Sequence, residues 1–174
     1  MASGAALPEN ARMKITPWLV IAGLVILLDQ ASKQWAEAAL ALHQPVAVLP
    51  FFNLTLAYNE GAAFSFLAGA GGWQRWFLTA VALAVSVFLL LWLRRLRANE
   101  KIAAWGLSLV LGGALGNVID RLLHGHVIDF LDVYYRQWHW PAFNLADSAI
   151  SLGIVLLLLD SFRAERADAG GDAS

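Results

Sequence analysis

Two aspartates late in the chain each lie beside an apolar stretch, Asp129 within VIDF and Asp147 within FNLADS. A carboxylate at the edge of a membrane span is costly, so it needs a partner or a function. Two carboxylates in a poorly solvated site share one proton, because both cannot ionise cheaply. Such a pair could act as acid and base in the attack of water on a peptide carbonyl. From spacing alone, a helix first-turn acid at 147 and a solvated loop charge at 129 explain the residues equally well.

Further ionisable and amide side chains interrupt the apolar runs. Asp29 and Lys33 lie four residues apart with the acid first, which is the favourable order for an ion pair on a helix. Asn117, Asp120 and Arg121 end a later apolar run at helical spacing. We expect them to hydrogen-bond across the bundle interior, with Asp120 paired to Arg121. For both groups of residues, a structural role is favoured over a direct part in catalysis.

Other catalytic chemistries lack their residues. The chain has no cysteine, and no serine triad is visible. The histidines form neither HExxH nor another spaced ligand set, so neither a zinc site nor any other metal or cofactor is expected. They are His43, His124, His126 and His139.

The composition indicates that lipid is the solvent. Hydrophobic residues make up 59% of the 174 residues and charged residues 14%, against about 25% charged in soluble domains. The net charge of -1 excludes the strongly basic surface expected of a nucleic-acid binder. Four spans would use nearly the whole length, so residues 1–174 are expected to form one integral membrane domain.

A helix that crosses a bilayer needs about 20 predominantly apolar residues. Runs of this length predict four transmembrane helices, at about residues 18–40, 73–93, 102–119 and 142–162. Pro141 and Asn144 mark the start of the last helix, because proline suits a first turn and asparagine caps free amide groups. Asn144, Asp147, Ser148 and Ser151 then share one polar face. Residues 167–174 are expected to be a disordered tail.

The basic residues predict the orientation, since short cytoplasmic loops carry the excess of Lys and Arg. They cluster before the first span, between the second and third, and after the fourth, which predicts that both termini are cytoplasmic. These residues are Arg12, Lys14, Arg94, Arg95, Arg97, Lys101, Arg163 and Arg166.

The predicted outer segments are residues 41–72 and 120–141. In the first, apolar and polar residues alternate from Phe52 to Ala57, which indicates a short strand, and Asn59, Glu60 and Gly61 read as a turn. We expect a small extracytoplasmic β-like cradle there, with residues 53–68 acting as a mobile flap. The second segment is rich in Tyr, Trp and Phe, which suits an aromatic platform in the headgroup layer.

Five motifs in order resemble those of the bacterial lipoprotein signal peptidases, also called type II signal peptidases. They are LDQASK, YNEGAAF, GGALGNVIDR, HVIDF and PAFNLADSAI. The resemblance implies an aspartic endopeptidase whose catalytic pair is Asp129 and Asp147. It also implies that other matching residues support the active site or bind substrate, namely Asp29, Lys33, Asn59, Gly61, Asn117, Asp120, Arg121 and Asn144.

The same resemblance implies cleavage of prolipoproteins before a diacylglyceryl-modified cysteine, at the outer face of the bacterial inner membrane. Membrane lipid and the inhibitor globomycin are further expected ligands. Two rival classes remain open at this point. One is a small transporter or proton relay, because membrane carboxylates often mark ion paths. The other is a non-catalytic lipid-binding or assembly subunit that uses the aromatic segment.

Overall fold

The computed structural model describes residues 12–61 and 71–171, with side chains as far as residue 163. The described part contains four helices and four strands. The helices are α1 (Thr16–Ala39), α2 (Trp73–Leu93), α3 (Lys101–Leu123) and α4 (Leu145–Gly171). The strands are β1 (Val46–Leu49), β2 (Phe52–Asn59), β3 (Val127–Tyr135) and β4 (Trp138–His139).

Three of these helices are long and apolar enough to cross a membrane, within the described residues. They are Trp73–Leu93, Lys101–Leu123 and Leu145–Arg163. The predicted first span, 18–40, corresponds to α1, which is not among the three. The physical reason is that Asp29, Gln30 and Lys33 interrupt the apolar run of α1.

Helix α3 is the centre of the bundle and packs against each of the other three helices. Glycines allow the close approach. A Cβ at Gly113 would collide with the carbonyl oxygen of Ala146 in α4, and one at Gly116 would lie 2.6 Å from Oδ2 of Asp29 in α1. The two glycines therefore set the separation of α3 from both neighbours near the candidate site.

The strands form one antiparallel sheet in the order β1-β2-β3-β4. The strand predicted from the alternation after residue 52 is β2. Its register pairs Ala57 with Asp129 and Asn59 with Val127, after an irregularity between Leu54 and Ala57. Because β3 occupies the middle of the sheet, Asp129 is held by a neighbouring strand rather than in a solvated loop.

The aromatic outer segment belongs to this same sheet. It forms β3 and β4, and Phe143 exchanges backbone hydrogen bonds with Leu131 after the chain turns back. The sequence predicted only an interfacial platform here. Two-residue alternation is hidden in this segment, because Val127 to Phe130 are all buried and read as a continuous apolar run.

The fourth helix begins and ends later than predicted. It starts at Leu145, so Pro141 lies in the connection before it rather than in its first turn. It continues to Gly171, which makes residues 167–171 of the predicted disordered tail helical. Residues 172–174 and the second part of the predicted flap, 62–68, lie outside the described residues.

The two ends of the bundle differ in chemistry. Helices α1 and α3 lead into the sheet and α4 leaves from it, so the sheet covers one end. At the other end, the backbones of Arg12 and Arg97 form an isolated antiparallel β-bridge. The Met13 amide next to it donates to the carbonyl of Leu96 at 3.1 Å. The segment before α1 therefore meets the basic connection between α2 and α3.

Candidate active site

Asp129 lies on β3 and is 2% exposed. Its carboxylate accepts two amide hydrogen bonds, at Oδ1 from Asn144 (2.8 Å) and at Oδ2 from Asn59 (3.1 Å). Burial, followed by the nearby charge of Asp147, raises the pKa of Asp129 from 3.8 to about 7, although the two amide donors oppose this shift. This carboxyl can therefore hold a proton at neutral pH.

Asp147 lies in the first turn of α4, where its side chain closes a reciprocal cap. The Asp147 N–H donates to Oδ1 of Asn144 (2.9 Å), while the Asn144 N–H donates to Oδ2 of Asp147 (3.2 Å). This is the geometry of a capping box, which satisfies two free amides of the helix end. The cap predicted at Asn144 is confirmed, and it fixes the orientation of the Asp147 carboxylate.

Asn144 connects the two aspartates directly. Its side-chain oxygen accepts from the backbone of Asp147, and its amide nitrogen lies 2.8 Å from Asp129 and 3.2 Å from the side-chain oxygen of Asn117. Asn117 in turn donates to Oδ1 of Asp147 at 2.8 Å. Asn144 is fully buried. Asn144 thus contacts both carboxylates, that of Asp129 through its side-chain amide and that of Asp147 through its backbone N–H.

A buried cation lies beneath this arrangement. The ammonium of Lys33 is 2.8 Å from Asp29, 2.7 Å from Asp120 and 2.9 Å from Oδ1 of Asn117. The predicted Asp29–Lys33 pair is therefore present. Lys33 is 1% exposed, Asp29 0% and Asp120 1%. Such buried charges are tolerated only when they are paired and hydrogen-bonded.

Each carboxylate of this network anchors a segment that carries one aspartate of the site. Oδ1 of Asp29 accepts from the Ala146 N–H at 2.9 Å, next to Asp147. Oδ2 of Asp120 accepts from the Ile128 N–H at 3.1 Å, next to Asp129. Lys33 therefore links the two anchors through its own contacts.

The predicted pairing of Asp120 with Arg121 is wrong. Asp120 pairs with Lys33 instead, and Arg121 donates from Nη2 to the carbonyl of Gly61 at 3.0 Å. Neighbouring residues on a helix point in different directions, so the two charges face different partners. The Nε of Arg121 is buried without a hydrogen-bond partner among the described residues. Arg121 borders the same cavity as both aspartates.

The turn after β2 ties its backbone to Asp129. Oδ1 of Asn59 accepts from the Gly61 N–H at 3.0 Å, while the other end of the same amide donates to Asp129. The predicted turn at 59–61 is thus an asparagine-mediated turn. It holds the Gly61 carbonyl towards Arg121 and closes the site on the side of the sheet.

A cavity of about 860 Å³ lies between the sheet and α4, with both aspartates in its wall. It is of the size that binds small molecules or peptide segments. Polar groups converge around the aspartates, and apolar side chains form the remainder. The polar wall contains Asn59, Glu60, Asn117, Arg121, Asp129, Asp147, Ser148 and Ser151, and the apolar wall Ala57, Tyr58, Val127, Trp140, Pro141, Ala142, Phe143 and Ile150.

Comparison with known proteins identifies the family of this chain. The family model described as "Signal peptidase (SPase) II" matches residues 21–163. The chain belongs to the signal peptidase II family. A relative from Cellvibrio japonicus (strain Ueda107), named lipoprotein signal peptidase, is 55% identical over 145 residues, which is 83% of this chain and 85% of that protein. The protein of the same name from Pseudomonas aeruginosa (strain UCBPP-PA14) is 52% identical over 92% of this chain and 96% of its own length.

The fold agrees with this family. A solved bacterial membrane enzyme matches with a TM-score of 0.79 and 28% identity, over 90% of this chain and 93% of its own. The chain is therefore a membrane-protein peptidase, a signal peptidase II of the aspartic class that removes signal peptides from prolipoproteins. Family membership removes the transporter and the non-catalytic subunit from consideration.

All ten residues that the sequence analysis assigned to the signal peptidase II site meet in one connected region. Gln30 was not predicted to belong to the site, yet its amide donates to Asp120 at 2.7 Å and to the Gly116 carbonyl at 3.2 Å. Its position between Asp29 and Lys33, directly after a long apolar run, was the available signal. The pair of Asp132 and His139 on the sheet (2.8 Å) was also not predicted, since no sequence spacing indicates it. Among the described side chains, no group of three metal-ligating residues lies together.

Proposed function

We propose that Asp129 and Asp147 are the catalytic pair of this signal peptidase. The single observation that carries the proposal is that both carboxylates accept hydrogen bonds from Asn144 in the wall of one cavity. Each of the four carboxylate oxygens accepts one amide hydrogen bond, from Asn59, Asn117 or Asn144. Each oxygen keeps further acceptor capacity for a water or a substrate.

In the proposed reaction the pair holds one proton. The ionised carboxylate takes a proton from water as the water oxygen attacks the scissile carbonyl. The protonated carboxyl donates to the developing oxyanion. Collapse of the tetrahedral intermediate then breaks the C–N bond, and the leaving amine takes a proton from the pair. The raised pKa of Asp129, about 7, suits a carboxyl that keeps its proton at neutral pH.

The remaining polar residues orient this pair in the proposal. Asn117 and Asn144 fix the carboxylates by amide hydrogen bonds, while Asp29, Lys33 and Asp120 anchor the segments beneath them. Asn59 and Gly61 form the side of the site next to the sheet. Arg121 supplies a positive charge at the cavity wall, where it balances the charge left on the pair.

We further propose that the substrate is a prolipoprotein with a diacylglyceryl-modified cysteine and that cleavage occurs before this cysteine. The cavity runs from the aspartates along α4 past Ser148 and Ile150 to Ser151, which is about two helical turns into a candidate span. Its apolar wall suits a lipidated peptide at the membrane surface. Globomycin is expected to bind in the same cavity, as the family resemblance implies.

The proposed topology has four transmembrane helices in a bacterial inner membrane, with both termini cytoplasmic and the sheet outside. Helix α1 joins the three apolar helices because Asp29 and Lys33 are buried on one face, together with Ala22 and Ala36 at helical spacing. Its opposite face exposes Leu24, Leu27 and Leu28 and suits contact with lipid. The basic end of the bundle then faces the cytoplasm.

The function is tested with purified protein in lipid nanodiscs and a lipidated prolipoprotein. The expected product begins with the diacylglyceryl-modified cysteine, as read by mass spectrometry of the new N-terminus. The matched control is the same prolipoprotein before lipid transfer to the cysteine, which should remain uncut. Equal cleavage of both forms would contradict the proposed substrate class, and a cut at another peptide bond would contradict the proposed site of cleavage.

A further inference from the structure

A second groove lies at the opposite end of the molecule from the catalytic cavity. Its volume is about 480 Å³, and its walls are Phe88, Leu91, Trp92 and Arg95. Residues three, four and seven positions apart share one face of a helix, so these side chains form a stripe along the last turns of α2. Phe88, Leu91 and Trp92 are 60%, 47% and 41% exposed. The stripe thus presents two aromatic rings and ends in a guanidinium.

Within the described part of the chain, Arg95 has no partner for its charge. The backbone N–H of Arg95 donates to the carbonyl of Trp92 at 2.8 Å, but its side chain makes no hydrogen bond or ion pair with any described residue. The nearest acid along the chain is Glu100, and its carboxylate accepts a hydrogen bond from the backbone N–H of Arg97 instead of contacting Arg95. A solvent-facing cation of this kind remains available for an external anion.

Other cations are gathered at the same end. The backbone β-bridge between Arg12 and Arg97 brings the segment before α1 to the connection after α2. Six exposed basic residues lie at this end, and none has a carboxylate partner in a salt bridge among the described residues. They are Arg12, Lys14, Arg94, Arg95, Arg97 and Lys101. A helix C-terminus by itself repels an anion, so these cations must supply any attraction.

We propose that this groove binds one anionic phospholipid, with the headgroup phosphate on Arg95 and the start of an acyl chain along Phe88 and Trp92. A guanidinium matches phosphate oxygens in pairs, and the two half-exposed rings give the chain an apolar wall. An exposed cation next to apolar side chains at the end of an apolar helix fits an amphiphile of negative charge. A zwitterionic lipid would bring its own cation close to Arg94 and Arg97.

The proposal is independent of the catalytic pair, because no residue of the groove borders the cavity that holds Asp129 and Asp147. Its test therefore measures lipid retention rather than turnover. The full-length protein is purified in detergent, exposed to equal concentrations of phosphatidylglycerol and phosphatidylcholine, and examined by native mass spectrometry. Wild type should retain one phosphatidylglycerol in clear preference to phosphatidylcholine.

Arg95→Gln should lower retention of phosphatidylglycerol about fivefold, since each basic residue near an anionic surface contributes about 1 kcal/mol. Trp92→Ala should weaken binding while leaving the preference for the anionic lipid. The matched control is Arg163→Gln, which removes an exposed arginine of α4 that does not line the groove, and it should leave retention unchanged. Thermal unfolding of the detergent-solubilised variants confirms that each is folded.

Three results would overturn the proposal. The first is equal retention of the two lipids by wild type, and the second is a loss of retention that is the same for Arg95→Gln and Arg163→Gln. The third is a mass spectrum in which the protein is a dimer that Trp92→Ala dissociates, because the groove would then be covered by a second copy of the chain.

Discussion

Single residues determine the electrostatics of the site. Asp129 is buried next to a second carboxylate, yet its side-chain partners among the described residues are the neutral amides of Asn59 and Asn144. Amide donors offset only part of the cost of burying a charge, so the proton is retained to higher pH. By contrast, Asp29 and Asp120 each contact the ammonium of Lys33. The chain therefore separates two carboxylates that pair with a buried lysine from a carboxylate that can hold a proton.

The first prediction concerns the stability of Asp129→Asn at different pH values. In the unfolded chain Asp129 ionises above about pH 4, whereas in the folded protein its pKa is about 7. The folded state binds the extra proton between these values, so wild type loses stability as pH rises from 4 to 7 and the loss persists above 7. Three pKa units correspond to roughly 4 kcal/mol, and asparagine has no such loss.

The measurement is the melting temperature of wild type and Asp129→Asn in the same detergent at pH 5 and pH 8. The difference in melting temperature, variant minus wild type, should shift in favour of the variant at pH 8. At pH 5 the variant should be equal or slightly less stable, because asparagine gives one amide donor a poorer partner. A difference that does not change with pH would show that Asp129 has an ordinary pKa.

The second prediction concerns Lys33. Lys33→Met leaves the buried carboxylates of Asp29 and Asp120 without a cation, which costs about 3–5 kcal/mol when a buried pair loses one partner. Lys14→Met is the matched control, since Lys14 is exposed and should tolerate the change. Equilibrium unfolding in mixed micelles compares both variants with wild type. Equal stability of the two variants would show that Lys33 does not hold the network together.

Local spacing explains which of these residues could be predicted. The Asp29–Lys33 pair follows from a four-residue separation on one helix, and the Asn144 cap from its position before an acidic first turn. The contact between Lys33 and Asp120 joins α1 to α3, and no local pattern indicates it. The same holds for Asp132 with His139, which meet only because β4 turns back onto β3.

At the level of elements, the site depends on how closely α1, α3 and α4 approach. The backbone of α3 carries glycine at 113 and 116, where it meets Ala146 and Asp29. Hydropathy predicted α2 with its observed bounds, because that helix has no charge inside its apolar run after Arg75. It did not predict the four-stranded sheet, because the buried start of β3 lacks alternation and β4 has only two residues. Sheet pairing is a long-range property that single segments do not encode.

The third prediction concerns the contact between α3 and α1. Gly116→Ala would put a methyl group 2.6 Å from Oδ2 of Asp29, which must then shift away from Lys33 and from the Ala146 amide. We expect a loss of about 1–3 kcal/mol from overpacking together with lower turnover. Gly23→Ala is the matched control, because a Cβ there meets nothing within 4 Å and alanine favours the helix.

Thermal unfolding and the cleavage rate are measured for both glycine variants in the same nanodiscs. Gly23→Ala should be as stable as wild type or slightly more stable, with full activity. If both substitutions had the same effect, the close approach at Gly116 would not be what positions Asp29.

For the whole molecule, the distribution of charge fits one orientation in a membrane. A cluster of exposed basic residues lies at the end opposite the sheet, and the exposed surface between the ends is rich in Leu, Val, Phe and Trp. Composition and the positions of Lys and Arg predict a membrane protein with a basic cytoplasmic end, and this orientation stays a prediction. Whether α1 crosses the membrane is harder to predict, because mean hydropathy averages its buried charged face with its exposed apolar face.

The fourth prediction is topological. A reporter fused at residue 98, between α2 and α3, should be cytoplasmic, and one inserted at residue 137, between β3 and β4, should be extracytoplasmic. A reporter after Arg163 should match the one at 98, since α4 returns the chain to the basic end. A reporter at 137 that is active only in the cytoplasm would contradict the topology and the proposed outer position of the site.

The central claim is that Asp129 and Asp147 form one catalytic unit, and it is tested most directly by the cleavage rates of three variants on a lipidated prolipoprotein. Asp129→Asn and Asp147→Asn should each lower the rate by at least about 10³-fold, and the double variant should be no slower than either one. Asp160→Asn, the same substitution farther along α4, is the control and should cleave at the wild-type rate. Melting temperatures should show that all variants are folded. Full turnover by either single variant, or a double variant much slower than both, would contradict the claim.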